Sequence, residues 1–390
     1  MLKIIRKIDK PLFFITIIMF IFGLIMIFSA SYVKAITSLD NAYYYLIRQG
    51  LILFICLFVF IFFINISSDK YKKYYKTILY LSIALLLALI PFGITVNGAK
   101  SWLHMPIFNF QPTEFAKIAI IIYMASYYEK YRNNKSDYRI ALKPFMFVGI
   151  TCVLVGIQPD LGSALILFFI SFLIFIAVPL LPNVKKKVWT IVAMTGIIAI
   201  FGVIVLFLTG KSGLYEYQLQ RFNFLKPCQR YTEVGTGYQV CNSYIAINNG
   251  GLFGVGIGNS TQKYLYLPES YTDFIFPVII EELGLITGIL IIFLYAIIIY
   301  RIVMIAKKCY NLSQGLICYG VAAYILVHVV VNLVGVLGLL PLTGVPLPFL
   351  SYGGSYALCL TISLTIVQRI NAETEIIKQE EKLKNKIREI

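Results

Sequence analysis

Apolar residues run along this chain in blocks of about twenty separated by short polar connectors, a pattern that predicts helices crossing a bilayer. Ten blocks qualify: 12–32, 47–66, 77–95, 112–128, 142–158, 161–181, 188–208, 274–300, 315–340 and 349–368. The fifth and sixth are separated only by Gln158-Pro159-Asp160 and are easily counted as one. The expected architecture is an all-α integral membrane protein of ten transmembrane helices, in a single domain over 1–390. Both termini are expected in the cytoplasm, with a large extracytoplasmic loop over 209–273 and a cytoplasmic tail over 369–390. The tail, with pairs such as Glu380 and Lys384 at i,i+4, reads as a short solvated helix.

Composition agrees. The chain is 59% hydrophobic and 13% charged, where a soluble domain averages about 25% charged. Charge then orients the spans, because Lys and Arg collect in cytoplasmic loops. With the N-terminus inside, the inner segments hold 25 of the 34 basic residues and 9 of the 18 acidic ones, which accounts for the whole net charge of +16. Dropping any one span breaks this alternation downstream. The basic excess therefore reads as topology and attraction to an anionic inner leaflet. No basic face interleaved with polar structure suggests nucleic acid. The first block follows Lys3, Arg6, Lys7 and Lys10 as a signal peptide would. It exceeds an h-region of about 7–15 residues and reads as a retained signal anchor.

Cysteine is sparse, at seven. Cys56, Cys152, Cys318 and Cys359 fall in spans as small apolar filler, and Cys309 is cytoplasmic. Cys228 and Cys241 share the outer loop, where an oxidising setting leaves two outcomes open, free thiols or a short closed ring. No CxxC or Cys/His cluster marks a zinc site. The same loop holds the glycine-rich run Asn248–Asn259. Without a preceding strand or a following GK[ST] it is not a nucleotide-binding loop. Its glycines instead let the backbone fold against the membrane surface, with phosphate capture by free N–H groups as an alternative.

Ionisable residues at membrane depth are costly and default to functional candidates. Glu114 and Lys117 share a helix face and either neutralise each other or build a site. Asp160 either caps the next helix or lines an outer turn. Glu281 and Glu282 point about 100° apart on one helix, so one is expected to meet another helix and the other a cavity. His328 and Asn332, at i,i+4, suit interhelical hydrogen bonds. Asp273 ends the polar loop at the mouth of the eighth block. A carboxylate there meets lipid headgroups and water together, which suits chemistry on a substrate whose tail lies in the bilayer. Thr272-Asp273 also reads as a helix N-cap pair.

Several strings together resemble one family. They are Asn97-Gly98-Ala99-Lys100-Ser101-Trp102, Gln111-Pro112-Thr113-Glu114-Phe115-Ala116-Lys117, Gln158-Pro159-Asp160-Leu161-Gly162 and Gly237-Tyr238-Gln239. After them come the Gly250–Gly258 run, Leu267-Pro268-Glu269 with Thr272-Asp273-Phe274, Glu281-Glu282-Leu283-Gly284, and Pro341 through Ser355. In this order they resemble the SEDS proteins (shape, elongation, division and sporulation) over nearly the whole chain. The 259–269 stretch is nearer to the FtsW and SpoVE branches than to RodA.

The resemblance implies a peptidoglycan glycosyltransferase in the bacterial cytoplasmic membrane, with its active site on the extracytoplasmic face. Its substrate would be lipid II, and its partners a class B penicillin-binding protein and other divisome or elongasome membrane proteins. Passing from an α-linked diphosphate to a β-1,4 bond inverts the anomeric carbon, so one base suffices. Asp273 matches the family's aspartate and is the expected base. Substrate-binding roles are implied for Lys100, Trp102, Glu114, Lys117, Asp160, Arg221, Lys263, Glu269, Glu281 and Ser351. Lys100, Lys117, Arg221 and Lys263 are the candidates for stabilising the diphosphate, and a divalent cation, Mg2+ or Mn2+, is an alternative. Two positions depart from the family pattern. Ser101 stands where Arg often precedes the Trp, which leaves Lys100 as the nearest cation. Tyr271 stands where His commonly precedes Thr-Asp-Phe, and a neutral phenol is a poor base at pH 7. A lipid II flippase and a scaffold for a transpeptidase are the rival readings.

Overall fold

Three of the helices begin where an acidic side chain accepts a backbone N–H. Asp9 accepts from Leu12, Asp137 from Arg139 and Asp160 from Ser163. The computed structural model describes residues 2–96, 99–105, 108–134, 136–208, 226–230 and 235–388. Its long helices are α1 (Lys10–Leu39), α2 (Tyr44–Phe63), α3 (Ser68–Phe92), α4 (Pro112–Lys130), α5 (Tyr138–Ile157), α6 (Leu161–Ala177), α7 (Pro182–Leu208), α8 (Thr236–Gly250), α9 (Ile275–Lys308), α10 (Leu312–Val336) and α11 (Gly354–Arg388). Six of these, α1, α2, α3, α5, α9 and α10, are long and apolar enough to cross a membrane, and α6 is a shorter apolar helix. The fifth and sixth blocks are separate helices.

The core is organised around α4, which packs against α3, α5, α6, α10 and α11. Every residue of α4 from Ala116 to Glu129 is buried, so its Glu, Lys and Tyr side chains meet protein rather than lipid. Large apolar side chains such as Phe14, Phe54, Phe62 and Phe293 point outward instead. That distribution matches a bilayer as the surrounding solvent.

Two features depart from the sequence expectation. The tail is no separate helix, since α11 runs unbroken to Arg388 and buries Ile370, Asn371, Ala372 and Thr374. A short antiparallel hairpin, β1 (Ile94–Val96) and β2 (Ala99–Trp102), interrupts the otherwise helical chain. The glycine-rich run folds back onto the bundle. It pairs with a break in α9 at Gly284 (φ +85°), where Val255 and Gly256 donate to the carbonyls of Glu281 and Glu282, and Leu285 donates back to Gly251.

Glycine is required there by distance. An added Cβ would lie 2.1 Å from the Ile280 oxygen at Gly250, 2.3 Å from the Glu282 oxygen at Gly254 and 2.2 Å from the Leu252 oxygen at Gly284. The amides of Gly251, Gly254, Val255 and Gly256 all donate to backbone carbonyls, so phosphate capture by these groups is not their role. Gly284→Ala is expected to destabilise the protein by more than about 1 kcal/mol. The midpoint of thermal unfolding in detergent checks this, and an unchanged midpoint would contradict the close packing. Cys228 and Cys241 are joined in a disulfide that ties a 3-10 turn (Pro227–Arg230) to α8.

Candidate active site

Three prolines between Pro341 and Gly353 prevent this stretch from continuing a helix. Between α10 and α11 it runs as non-helical backbone into the bundle, burying Val345, Leu347, Phe349 and Leu350. Irregular backbone at membrane depth needs partners from the protein. Asn332 Nδ2 donates to the Val345 oxygen at 2.8 Å, the Leu347 amide donates to Ser351 Oγ at 2.8 Å, and the Tyr295 hydroxyl donates to the Pro348 oxygen. Gly23 of α1 makes room, since a Cβ there would lie 2.3 Å from the Phe349 oxygen.

This segment grips the residues that lead into α9. Ser351 Oγ donates to the Thr272 oxygen at 2.6 Å, the Tyr352 amide to the Tyr271 oxygen at 3.0 Å, and Asn332 Nδ2 to the Asp273 oxygen at 2.9 Å. Asp273 is half-buried, and its Oδ2 lies 3.4 Å from where a Cβ on Gly344 would stand. The N-cap of α9 is Phe274, whose own side chain makes no capping bond. Thr272 Oγ1 donates to Glu269 at 2.7 Å.

Lys34 of α1 was not singled out from the sequence. Its ammonium donates to the Pro268 oxygen at 3.1 Å, lies 3.9 Å from Glu269 Oε1 and stands 5.0 Å from the Tyr271 ring centre. A lone lysine just past the first apolar block was the available signal. Tyr271 packs with Tyr45 and Tyr352 at ring-centre distances of 4.5 and 5.7 Å. Burial, and then the hydrogen bond with Tyr45, hold the Tyr271 phenol well above its ordinary value of 10, so it is no base at neutral pH.

The Gln-Pro motifs meet on the same segment. Asp160 caps α6, as one of its two readings expects, and also accepts from Gln111 Nε2 at 3.2 Å. The Gln111 amide donates to Ser355 Oγ at 2.8 Å, and Gly162 packs against Thr343. Lys100 and Trp102 stand in the hairpin, where Lys100 Nζ donates to the Ile90 oxygen at 2.6 Å. Ser101 is buried beside the Gln158 oxygen. Arg221 lies outside the described residues.

Other expected ligand groups are closed by their own partners. Glu114 and Lys117 pair at 2.7 Å, with Tyr324 donating to the carboxylate and His328 Nε2 3.1 Å from the ammonium. His328 thus links α10 to α4, as its spacing suggested. Neither Glu281 nor Glu282 faces an open cavity, contrary to expectation, because both are fully buried. Glu281 accepts from Asn249, Ser260 and Thr261, while Glu282 accepts from Ser29 of α1 and Lys263 Nζ at 2.7 and 2.9 Å. Lys263 therefore differs from the open cation expected, since it also donates to Ser29 and to the Gly258 oxygen. Ser351 is likewise a positioning group, 5% exposed and turned to backbone on both sides.

The family model described as a cell cycle protein, FtsW/RodA/SpoVE, matches residues 10–376. The chain is 35% identical over 377 residues to the probable peptidoglycan glycosyltransferase FtsW of Haemophilus influenzae, covering 95% of this chain and 92% of that one. It is 32% identical over 368 residues to the stage V sporulation protein E of Bacillus subtilis, covering 93% and 96%. Two solved structures share the fold. One comes from a study of a peptidoglycan synthase complex coordinating polymerization and crosslinking (TM-score 0.72, 22% identity, 94% and 98% coverage). The other is the rod shape-determining protein RodA of Thermus thermophilus (TM-score 0.66, 23% identity, 94% and 97% coverage). The chain belongs to the FtsW/RodA/SpoVE family of cell cycle proteins.

Proposed function

We propose that this chain is a peptidoglycan glycosyltransferase that polymerises lipid II, with Asp273 as its base. The carboxylate takes the proton of the acceptor 4-hydroxyl, and that oxygen attacks the anomeric carbon of the donor sugar. The bond to undecaprenyl diphosphate breaks on the opposite face, inverting the centre, and the diphosphate leaves with the electron pair. The observation that carries this reading is the hold on Asp273. Asp273 is half-buried, and Ser351 and Asn332 pin the backbone on either side of it. A base held that firmly loses little orientational freedom in the transition state.

Asp160, Glu269, Lys100, Trp102 and Arg221 are proposed as substrate contacts, with the two cations serving the diphosphate. A divalent cation, Mg2+ or Mn2+, would draw its ligands from Asp273 and the substrate's phosphates. Among the described residues no three His, Cys, Asp or Glu side chains gather to hold one. The full topology belongs to this proposal: ten spans, both ends cytoplasmic, and the 209–273 loop with its site outside. So do a crosslinking partner of the class B penicillin-binding type and a place in the bacterial cytoplasmic membrane. Closure of the buried ion pairs disfavours a flippase, which would need those charges along a pathway.

Purified chain supplied with lipid II in detergent, with and without a class B penicillin-binding protein, is expected to yield glycan polymer. Lipid II crossing vesicle membranes without polymer would point to the flippase instead. Complex formation with no polymer under either condition would leave only a scaffold. Ser351→Ala frees the Thr272 carbonyl and is expected to lower kcat about 10- to 100-fold with little change in KM. Steady-state polymerisation rates check it, and a KM effect alone would make Ser351 a substrate contact.

A further inference from the structure

The first residues of the chain fold under the bundle and are strapped to α11. Asn371 Nδ2 donates to the Lys7 oxygen at 2.9 Å, the Asp9 amide donates to Gln368 Oε1 at 2.7 Å, and Gln368 Nε2 returns a bond to the Asp9 oxygen at 3.1 Å. Arg301 of α9 clamps the Asp9 carboxylate from the other side through two nitrogens. A recess of about 350 Å³ opens between these elements. Its walls are preformed, because backbone hydrogen bonds and an ion pair fix them.

Charge in the recess is one-sided. Arg6, Lys7, Lys10 and Lys308 line it, and among the described residues none of the four has an ion-pair partner. The two acidic residues in the wall are already engaged, Asp9 by Arg301 and Glu375 by Lys378 at 3.8 Å. Four cations around one cavity repel each other, and a bound anion relieves that cost. The position specifies the anion further. Lys10 opens α1 and Lys308 closes α9, both helices long and apolar enough to span, so the recess lies at the level of the headgroups.

We propose that this recess is a binding site for the phosphate-bearing headgroup of an anionic phospholipid. Basic pockets between helix ends on the cytoplasmic side commonly take such headgroups. Assignment to the inner leaflet rests on the topology proposed above, whereas the headgroup level does not. Arg6 and Lys308 offer charge-assisted hydrogen bonds to phosphate oxygens, and the bidentate geometry available to Arg6 suits a phosphodiester. Occupancy would also brace the α1, α9 and α11 ends against one another, the same three helices that hold the Gly23, Tyr295 and Gly354 flanks of the 341–353 segment.

The test uses full-length protein purified in detergent and mixed with vesicles of phosphatidylcholine with or without one-fifth diphosphatidylglycerol. Retained lipid is counted by native mass spectrometry after delipidation and re-addition. The Arg6→Gln/Lys10→Gln/Lys308→Gln variant is expected to lose at least fivefold in retained anionic lipid. Lys185→Gln/Lys186→Gln/Lys187→Gln, which removes as many charges from the connector before α7, should retain it. Equal loss in both variants, or loss in neither, overturns the site and leaves only diffuse attraction. Inorganic phosphate at millimolar concentration displacing the lipid completely would also overturn it, since the site would then read a soluble anion. Retention is measured without turnover, so an inactive enzyme does not affect the outcome. Matching unfolding midpoints for the two variants exclude misfolding as the cause of a selective loss.

Discussion

Asp273→Asn is expected to remove polymerisation almost entirely, by about 10²- to 10⁴-fold, the usual contribution of a positioned general base. The amide is isosteric and keeps the backbone carbonyl that Asn332 holds, so the grip from Asn332, Ser351 and Tyr352 persists. What disappears is the ability to take a proton. Binding of lipid II and of a crosslinking partner should survive, because the substitution leaves the surface unchanged apart from one charge. Single-turnover assays on labelled lipid II would separate the two effects. A variant that still makes polymer at a tenth of the normal rate would move the base elsewhere.

Lys263→Met carries the largest expected cost to stability, about 3–5 kcal/mol. The ammonium and the Glu282 carboxylate are both buried, and removing one leaves the other charged and desolvated beside Ser29 alone. The paired replacement Lys263→Met/Glu282→Met removes both charges and should recover much of the loss, since an apolar pair of similar volume can be nearly neutral. Thermal unfolding in detergent of the parent, Lys263→Met, Glu282→Met and the paired variant completes the cycle. Equal midpoints for the single variant and the parent would show that Lys263 is not the partner of Glu282. This pair ties the loop before α9 to α1 and α9. The single variant should therefore also lose activity by letting the 259–273 stretch move.

Much of the scaffold was legible because apolar blocks and breakers act locally. Gln158-Pro159-Asp160 separates α5 from α6, and Asp160 starts the second helix by capping it. The pairing of Glu114 with Lys117 followed from their i,i+3 spacing. The site was legible in its residue types but not in their employment. Glu281 and Glu282 lie on different helix faces, as periodicity requires, yet both are buried. The glycine run folds back onto α9 and supplies Ser260, Thr261 and Lys263 as partners, which no helical period could announce. α9 begins one residue later than the Thr-Asp pair suggests, with Phe274 at its N-cap. The tail is helical and exposed over 379–388 as its charge pairs suggest, but its start is not solvated, because Ile370, Ala372 and Thr374 continue the buried face of the last span past its apolar block.

By itself the sequence determined a helical bundle with long apolar spans and the family it resembles, and it supplied the sidedness of charge and the carboxylate that the proposed function uses. Each follows from residue type and nearest-neighbour spacing, which are properties of short stretches. Only the tertiary structure decided which ionisable groups are open and which are closed. Burial and pairing depend on residues hundreds of positions apart, such as Ser29 with Glu282 and Thr272 with Ser351. In a medium where an unpaired charge is so costly, those distant partners separate a structural ion pair from the proposed catalytic base.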